Sequence, residues 1–321
     1  MVHDPTWFKC DDGTVLYLQR WLPDTHSLAV IHILHGMAEH SGRYGRLAEK
    51  LCEAGIEVWA ADQRGHGKTT DPGVNDPGKG GLLGHCADRD TFERVSTDIH
   101  AINTEIRTTR PGIPLFLMGH SWGSFIVQYY IQNQDTNSCI DGCILSGSRG
   151  PGGFKEKAGI PYMALLAAVC GKRRGAALAR AAADGPYNRY FRPNRTSFDW
   201  LSRDNAEVDA YVNDPLCGKL CSTGFYRDLT RGLSQIHRIE AIARIPANLP
   251  IYIFSGNDDP VGGMGESPTA LVSAYRSCGI KDLEFVLYPG ARHEPLNETN
   301  REEVTDNLLA WLLRHIPSAK G

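Results

Sequence analysis

Runs of apolar and polar positions divide the chain into a regular series of strands and helices. Val15 to Leu22 alternates after an Asp11-Asp12-Gly13 turn, which predicts a β-hairpin at the start of the fold. Ala29 to Leu34 and Ile56 to Ala61 are almost wholly apolar, the pattern of strands buried on both faces. Between them, Arg46 to Ala54 has helical spacing and stops at Gly55. Residues 70 to 86 are rich in Gly, Pro and Asp and read as a long surface loop. Thr91 to Arg110 returns to helical periodicity, with Phe92, Val95, Ile99, Ile102 and Ile106 on one side. A short strand at Pro114 to Met118, a helix from Ser124 to Gln134 and a strand at Ile140 to Ser146 follow.

The rhythm breaks at Ser148. From there to about Pro246 no strand pattern is visible, only Ala- and Leu-rich stretches and short blocks punctuated by Pro and Gly. The β-α order resumes with a strand at Pro250 to Ser255, a helix from Pro268 to Ser277, a strand at Leu283 to Leu287 and a helix from Asn300 to His315. Strands alternating with helices predict an α/β fold with a mostly parallel sheet wrapped by helices. The expected organisation is a core of residues 1–147 and 247–321, interrupted by a helical insertion at 148–246.

Composition narrows the function classes. Lys and Arg total 34 against 37 Asp and Glu, a net charge of -3, which gives no reason to expect a nucleic-acid partner. The first ten residues contain no basic start followed by an apolar run, so no secretory signal is expected there. The longest apolar candidate, Ile160 to Cys170, is about half the roughly 20 residues needed to span a bilayer. The nine cysteines are scattered without CxxC pairs, which predicts small buried hydrophobes in a reducing cytoplasm rather than a zinc site. Asp62, His66 and His85 match no metal-ligand spacing, and the Asp62 to Gly67 segment reads as a structural loop. No metal or cofactor is expected.

The chemistry concentrates at Gly119-His120-Ser121-Trp122-Gly123. A G-x-S-x-G pentapeptide is weak evidence alone, but here a strand precedes it and a helix follows. That context presents a serine on an abrupt turn, and Gly119 and Gly123 leave room for strand and helix to close around Ser121. The helix also directs its N-terminal N–H groups toward the place where negative charge develops.

Serine needs a base, and the base needs a carboxylate to orient it. Past the insertion, two loops at carboxyl ends of strands supply them. His293 follows the strand at 283–287 and is the only histidine between His237 and His315. His315, near the end of the last helix, is better suited to a solvated or dipole-capping role. Asp258 and Asp259 both follow the strand at 250–255; Asp259 precedes Pro260, which favours it as the orienting group, with Asp258 left as a turn residue. The oxyanion requires two backbone donors. Trp122 N–H, just after the nucleophile, is one. The His35-Gly36-Met37 turn after an early strand offers Met37 N–H as the other.

These residues resemble the α/β-hydrolases, and within them the monoacylglycerol lipase and lysophospholipase branch. The resemblance is carried by His35-Gly36-Met37-Ala38-Glu39-His40-Ser41-Gly42-Arg43-Tyr44, Asp62-Gln63-Arg64-Gly65-His66-Gly67, Gly119 to Gly123, the Asp259 loop and Tyr288 to His293. It implies Ser121, Asp259 and His293 as a triad, Met37 and Trp122 as oxyanion donors, and an insertion that caps the site. The insertion departs from the animal lipases: Phe198 to Arg203 and Asp214 to Gly218 are more similar to bacterial lysophospholipase-like hydrolases. A carboxylic ester hydrolase acting on a monoacyl lipid or small acyl ester is therefore expected. The alternatives are a peptidase, an amidase or another Ser-triad α/β-hydrolase using the same residues and, more remotely, a non-catalytic ligand-binding protein of this fold.

Within the insertion, Ile160, Tyr162, Met163, Leu165, Leu166 and Val169 form an apolar segment. It suits either an acyl entrance that touches lipid aggregates or simple burial on the core. Lys172, Arg173 and Arg174 suit either anionic lipid or solvent. Tyr187, Tyr190, Phe191, Phe225 and Tyr226 are candidates for lining the pocket.

Overall fold

The computed structural model describes residues 1–133, 136–151, 154–183 and 185–317. Among these, strands β1 (Val2–His3), β2 (Thr6–Lys9) and β3 (Val15–Leu22) form an antiparallel edge, with β2 and β3 as the hairpin around the Asp-Asp-Gly turn. The rest of the sheet comprises β4 (Ala29–Leu34), β5 (Ile56–Ala61), β6 (Leu115–His120), β7 (Gly142–Ser146), β8 (Ile251–Gly256) and β9 (Leu283–Tyr288), mutually parallel. The spatial order is β1-β3-β5-β4-β6-β7-β8-β9, with β2 pairing β3 off this path. All residues of β4, β5, β6, β7 and β8 are buried, which explains why they read as unbroken apolar runs.

Helices α1 (Gly45–Glu53), α2 (Thr91–Thr109) and α3 (Trp122–Ile131) connect the first parallel strands. The expected end of the third at Gln134 lies outside the described residues. Alternate strand positions feed two cores. Val30, Leu34, Leu115 and Leu117 join Ile99, Ile102, Phe125 and Ile126 of α2 and α3. Ile31, Ile33, Phe116 and Met118 join Leu47 and Leu51 of α1.

Between β7 and β8 the chain runs through α4 (Phe154–Cys170), α5 (Ala177–Ala183), α6 (Asn205–Asn213), α7 (Thr223–Ile236) and α8 (Ile239–Ile242). Asp204 and Ser222 cap α6 and α7, their side chains accepting from Ala206 N–H and Phe225 N–H. Trp200, Leu201, Tyr211 and Cys217 form a small third core beneath these helices. Residues 152, 153, 184 and 318–321 of the expected insertion and core lie outside the described residues. Two helices complete the chain: α9 (Glu266–Ser277) and α10 (Arg301–His315), the latter adding Leu308 and Trp311 to the second core.

This strand order matters for function. From β4 the chain steps outward to β5, then returns to the other side of β4 as β6. Connections leave in opposite directions at β4 and β6, and the crevice beyond their carboxyl ends is where open α/β sheets gather functional groups.

Candidate active site

Ser121 stands at that crevice, between β6 and α3, with φ 50° and ψ −118°. A serine held in this sparsely populated region has the backbone conformation expected of a nucleophile elbow. Its backbone N–H donates to Ser146 O at 2.9 Å, tying the turn to β7. The flanking glycines are sterically required. A Cβ on Gly119 would lie 2.4 Å from Gly123 C, and one on Gly123 would lie 2.3 Å from Leu34 O. Absence of a side chain at Gly123 thus lets α3 seat directly on the end of β4.

The loop leaving β4 passes beside Ser121. A Cβ on Gly36 would lie 2.7 Å from Glu39 Oε1 and 3.4 Å from Ser121 Cβ, so a side chain there would press on Glu39. Met37 lines the same cavity as Ser121. Trp122 opens α3, and its N–H is among those a helix leaves without an intrahelical partner. The 62–67 segment ties the loop after β4 to the start of α3. Gln63 Nε2 donates to His35 O at 2.7 Å, while Gln63 Oε1 accepts from Trp122 Nε1 at 3.0 Å. Asp62 accepts from Ser41 N–H at 2.8 Å and Lys68 N–H at 2.7 Å. It is a structural loop, as expected from its sequence.

His293 and Asp259 arrive from the loops after β9 and β8. His293 Nε2 is 2.8 Å from Ser121 Oγ, and His293 Nδ1 is 3.0 Å from Asp259 Oδ2. Asp259 is fully buried and also accepts from Val261 N–H at 2.9 Å and Ser255 Oγ–H at 3.3 Å. The neighbouring Asp258 is only half-buried and donates its N–H to Ala291 O. A carboxylate facing Nδ1 keeps the imidazole proton there and leaves Nε2 free to accept from Ser121. Burial alone pulls the His293 pKa down, but the charge and hydrogen bond of Asp259 outweigh it, and the net shift is upward. His120, beside it with ring centroids 4.9 Å apart, is pushed the other way, to about 4, by burial and by His293. Two adjacent imidazoles therefore differ in their readiness to take a proton.

The sequence reading missed an ionic brace beneath these residues. Arg43 bonds Glu294 through both terminal nitrogens at 2.7 Å and Glu39 at 2.6 Å. Glu39 in turn accepts from Gly36 N–H. All three side chains are largely buried. Burial opposes the Glu39 charge, yet Arg43 and the nearby histidines hold its pKa at about 2. The brace links the Gly36 turn to the residue that follows His293. Its sequence signal was the Glu39/Arg43 spacing of four and a carboxylate adjoining His293.

The cavity at Ser121 is small, about 40 Å³. Of the aromatic candidates from sequence, Tyr226 lines it. Phe225 packs on the Trp122 ring at 4.9 Å, Tyr187 and Phe191 join the third core, and Tyr190 is exposed. Phe198, Trp200 and Tyr211 line the cavity instead. The Phe198 to Arg203 segment also clamps the His293 loop. Trp200 O accepts from His293 N–H at 3.4 Å, and Leu201 O from Glu294 N–H at 2.8 Å. On α4, Met163 and Ala167 are buried while Tyr162, Leu165 and Val169 are exposed, so simple burial on the core accounts for only part of the apolar segment. Arg173 is paired with Asp88 at 2.7 Å.

Among the described residues, one group has metal-ligand atoms close together: His40, Asp214 and Cys217. Its hydrogen bonds already occupy it. His40 Nδ1 accepts from Gly42 N–H at 3.1 Å, which leaves Nε2–H to donate to Asp214 at 2.9 Å. Asp62, His66 and His85 do not form such a group. His66 Nδ1 turns to Arg64 O and His85 to Ser222 and Asp88.

A parallel sheet with a serine elbow at its switch point and a histidine and buried aspartate from later loops defines an α/β-hydrolase of the serine type. The comparisons place it further: residues 25–300 match the serine aminopeptidase S33 family of hydrolases, and the chain belongs to that family. It is similar to a monoacylglycerol lipase of Mycolicibacterium smegmatis, 30% identical over 95% of each chain. Human monoglyceride lipase is 29% identical over 88% of this chain and 80% of its own. The crystal structure of a thermostable carboxyl esterase from Bacillus coagulans, in complex with glycerol, superposes with a TM-score of 0.88 at 25% identity, covering 99% and 100% of the two chains. The chain is thus a serine hydrolase of the monoacylglycerol lipase-like branch.

Proposed function

We propose that this enzyme hydrolyses carboxylic esters bearing one acyl chain, monoacylglycerols or lysophospholipids, together with small acyl esters. The observation that carries the reading is the continuous relay from Ser121 Oγ to His293 at 2.8 Å and on to Asp259 at 3.0 Å. Ser121 Oγ attacks the ester carbonyl as its proton passes to His293 Nε2. The oxyanion is received by the N–H groups of Met37 and Trp122. Collapse breaks the bond to the alcohol, which leaves with the proton from His293. Water, activated by the same histidine, then releases the acid from the acyl-serine. Asp259 stabilises the imidazolium formed in each half-reaction.

The names of the lipase relatives and the glycerol-bound esterase support a monoacyl ester of a small polyol. In this reading residues 148–246 act as a cap. A fatty acyl chain needs far more space than the present cavity, so the cap shifts to admit it. Tyr162, Leu165 and Val169, exposed on α4, form the surface that meets a lipid aggregate. No helix of the described residues is long and apolar enough to cross a membrane, and the contact is a transient one. Nine free cysteines, most of them buried, suit a reducing compartment such as the cytoplasm.

The test is a hydrolysis profile over p-nitrophenyl esters of increasing chain length, monoacylglycerols and lysophosphatidylcholine. Turnover of long monoacyl substrates is expected. A sharp fall beyond about six carbons, well short of a fatty acyl chain, would restrict the enzyme to small esters. The family's description as aminopeptidases makes peptide hydrolysis the second reading. Cleavage of aminoacyl p-nitroanilides with no ester turnover would favour it.

A further inference from the structure

Ala38 follows the proposed oxyanion donor Met37 and has φ 57°, a left-handed conformation that its Cβ disfavours. Its carbonyl accepts two hydrogen bonds, both from the helical segment. Tyr211 Oη–H donates at 2.9 Å and Gly218 N–H at 2.8 Å. The next residue but one, His40, donates to Asp214 of the same stretch. Residues 211–218 therefore grip the loop at 38–40 from above, while Glu39 holds Gly36 N–H from below.

Tyr211 is itself firmly seated at the end of α6. Its ring is buried, with Phe198 at 5.0 Å between centroids and the Arg43 guanidinium 4.9 Å above the ring. Burial pushes its phenol pKa well above the usual value, so the hydroxyl stays protonated as a donor.

We propose that Tyr211 Oη and Gly218 N–H form a latch that holds the strained Ala38 turn and so keeps the Met37 N–H aimed at the developing oxyanion. Tyr211 is then a positioning residue for the reaction, acting from the cap through a core carbonyl. A cap moved away from the core gives up both bonds, and the oxyanion loop is fully held only when the cap is seated. The inference rests on the reading of residues 36–39 as the oxyanion loop.

Steady-state kinetics on p-nitrophenyl butyrate with a double-mutant cycle test it. Tyr211→Phe keeps the packed ring and removes only the donor, and thermal melts check that the fold is retained. It is expected to lower kcat about five- to tenfold, the loss of roughly one hydrogen bond, with KM changed by less than about twofold. Glycine accepts a positive φ freely, so in an Ala38→Gly background the same substitution is expected to cost only about twofold. An unchanged kcat in Tyr211→Phe overturns the latch, as does an effect confined to KM or an equal loss in both backgrounds. Gly36→Ala separates this from the underlying reading, since the added Cβ would fall 2.7 Å from Glu39 Oε1 and 3.4 Å from Ser121 Cβ. Loss of kcat there with none in Tyr211→Phe removes the latch alone. No loss in either removes the oxyanion-loop reading as well.

Discussion

His293 carries two opposed influences, burial that resists its charge and Asp259 that invites it, and the second prevails. As the proposed base, His293 works only when neutral. Because its pKa lies above the usual 6.5, activity falls as pH drops through a value above 6.5. In Asp259→Asn the largest supporting charge is gone and burial is opposed only by the weaker influence of Glu294 and Glu39, so the acid limb of kcat/KM is expected to move to lower pH. Loss of the correct tautomer also lowers kcat, by about a thousandfold or more. A pH–rate profile of both proteins checks this; an acid limb left in place would separate Asp259 from the titration of His293. Ser121, Asp259 and His293 were legible in the sequence because each follows a strand, in a recognisable chain order. Ala38 and Tyr211 were not, since a backbone angle and a contact across 173 residues leave no local pattern.

At the level of elements, the site depends on loops being held against one another. Arg43 joins the loop after β4 to the loop after β9 through two buried carboxylates. Arg43→Met would leave Glu39 and Glu294 buried together without their cation, a loss of about 3–5 kcal/mol at neutral pH. The sign with pH should also reverse. In the native protein both carboxylate pKa values are depressed, so their contribution is present above the unfolded value and lost as pH falls toward about 2 for Glu39. In the variant the pair prefers to hold a proton, and stability is expected to rise on mild acidification. Urea unfolding across pH measures this, and equal destabilisation at every pH would contradict it. The parallel strands and the helices between them were legible to within a few residues, whereas the helices of the insertion were expected only as a class. The expected helix at Ser124 starts at Trp122, immediately after the nucleophile, because Gly123 belongs to the first turn rather than to a preceding loop.

Across the whole molecule, the sheet supplies a fixed crevice and the segment between β7 and β8 covers it. The parallel order was readable from alternation of strand and helix, but the pocket lining was not. Phe198 and Trp200 lie in a stretch without helix or strand, which carries no periodic pattern, and so Tyr226 was anticipated while these two were not. The exposed apolar side of α4 fits a lipid-contact role. Leu165→Ser combined with Val169→Ser is expected to lower turnover of aggregated monoacylglycerol severalfold while leaving p-nitrophenyl butyrate within about twofold, because two exposed apolar side chains anchor interfacial binding and not the chemistry. Equal rates on aggregated substrate would assign that surface no role in lipid contact.

The chemistry assigned to Ser121 is open to one direct measurement. Reaction with a fluorophosphonate, followed by peptide mapping by mass spectrometry, should give a single adduct on the peptide containing Ser121. The adduct should be absent in Ser121→Ala, which should lose hydrolysis by several orders of magnitude, and form far more slowly in His293→Ala. An adduct on another residue, or full retained turnover of p-nitrophenyl butyrate by Ser121→Ala, would contradict the assignment.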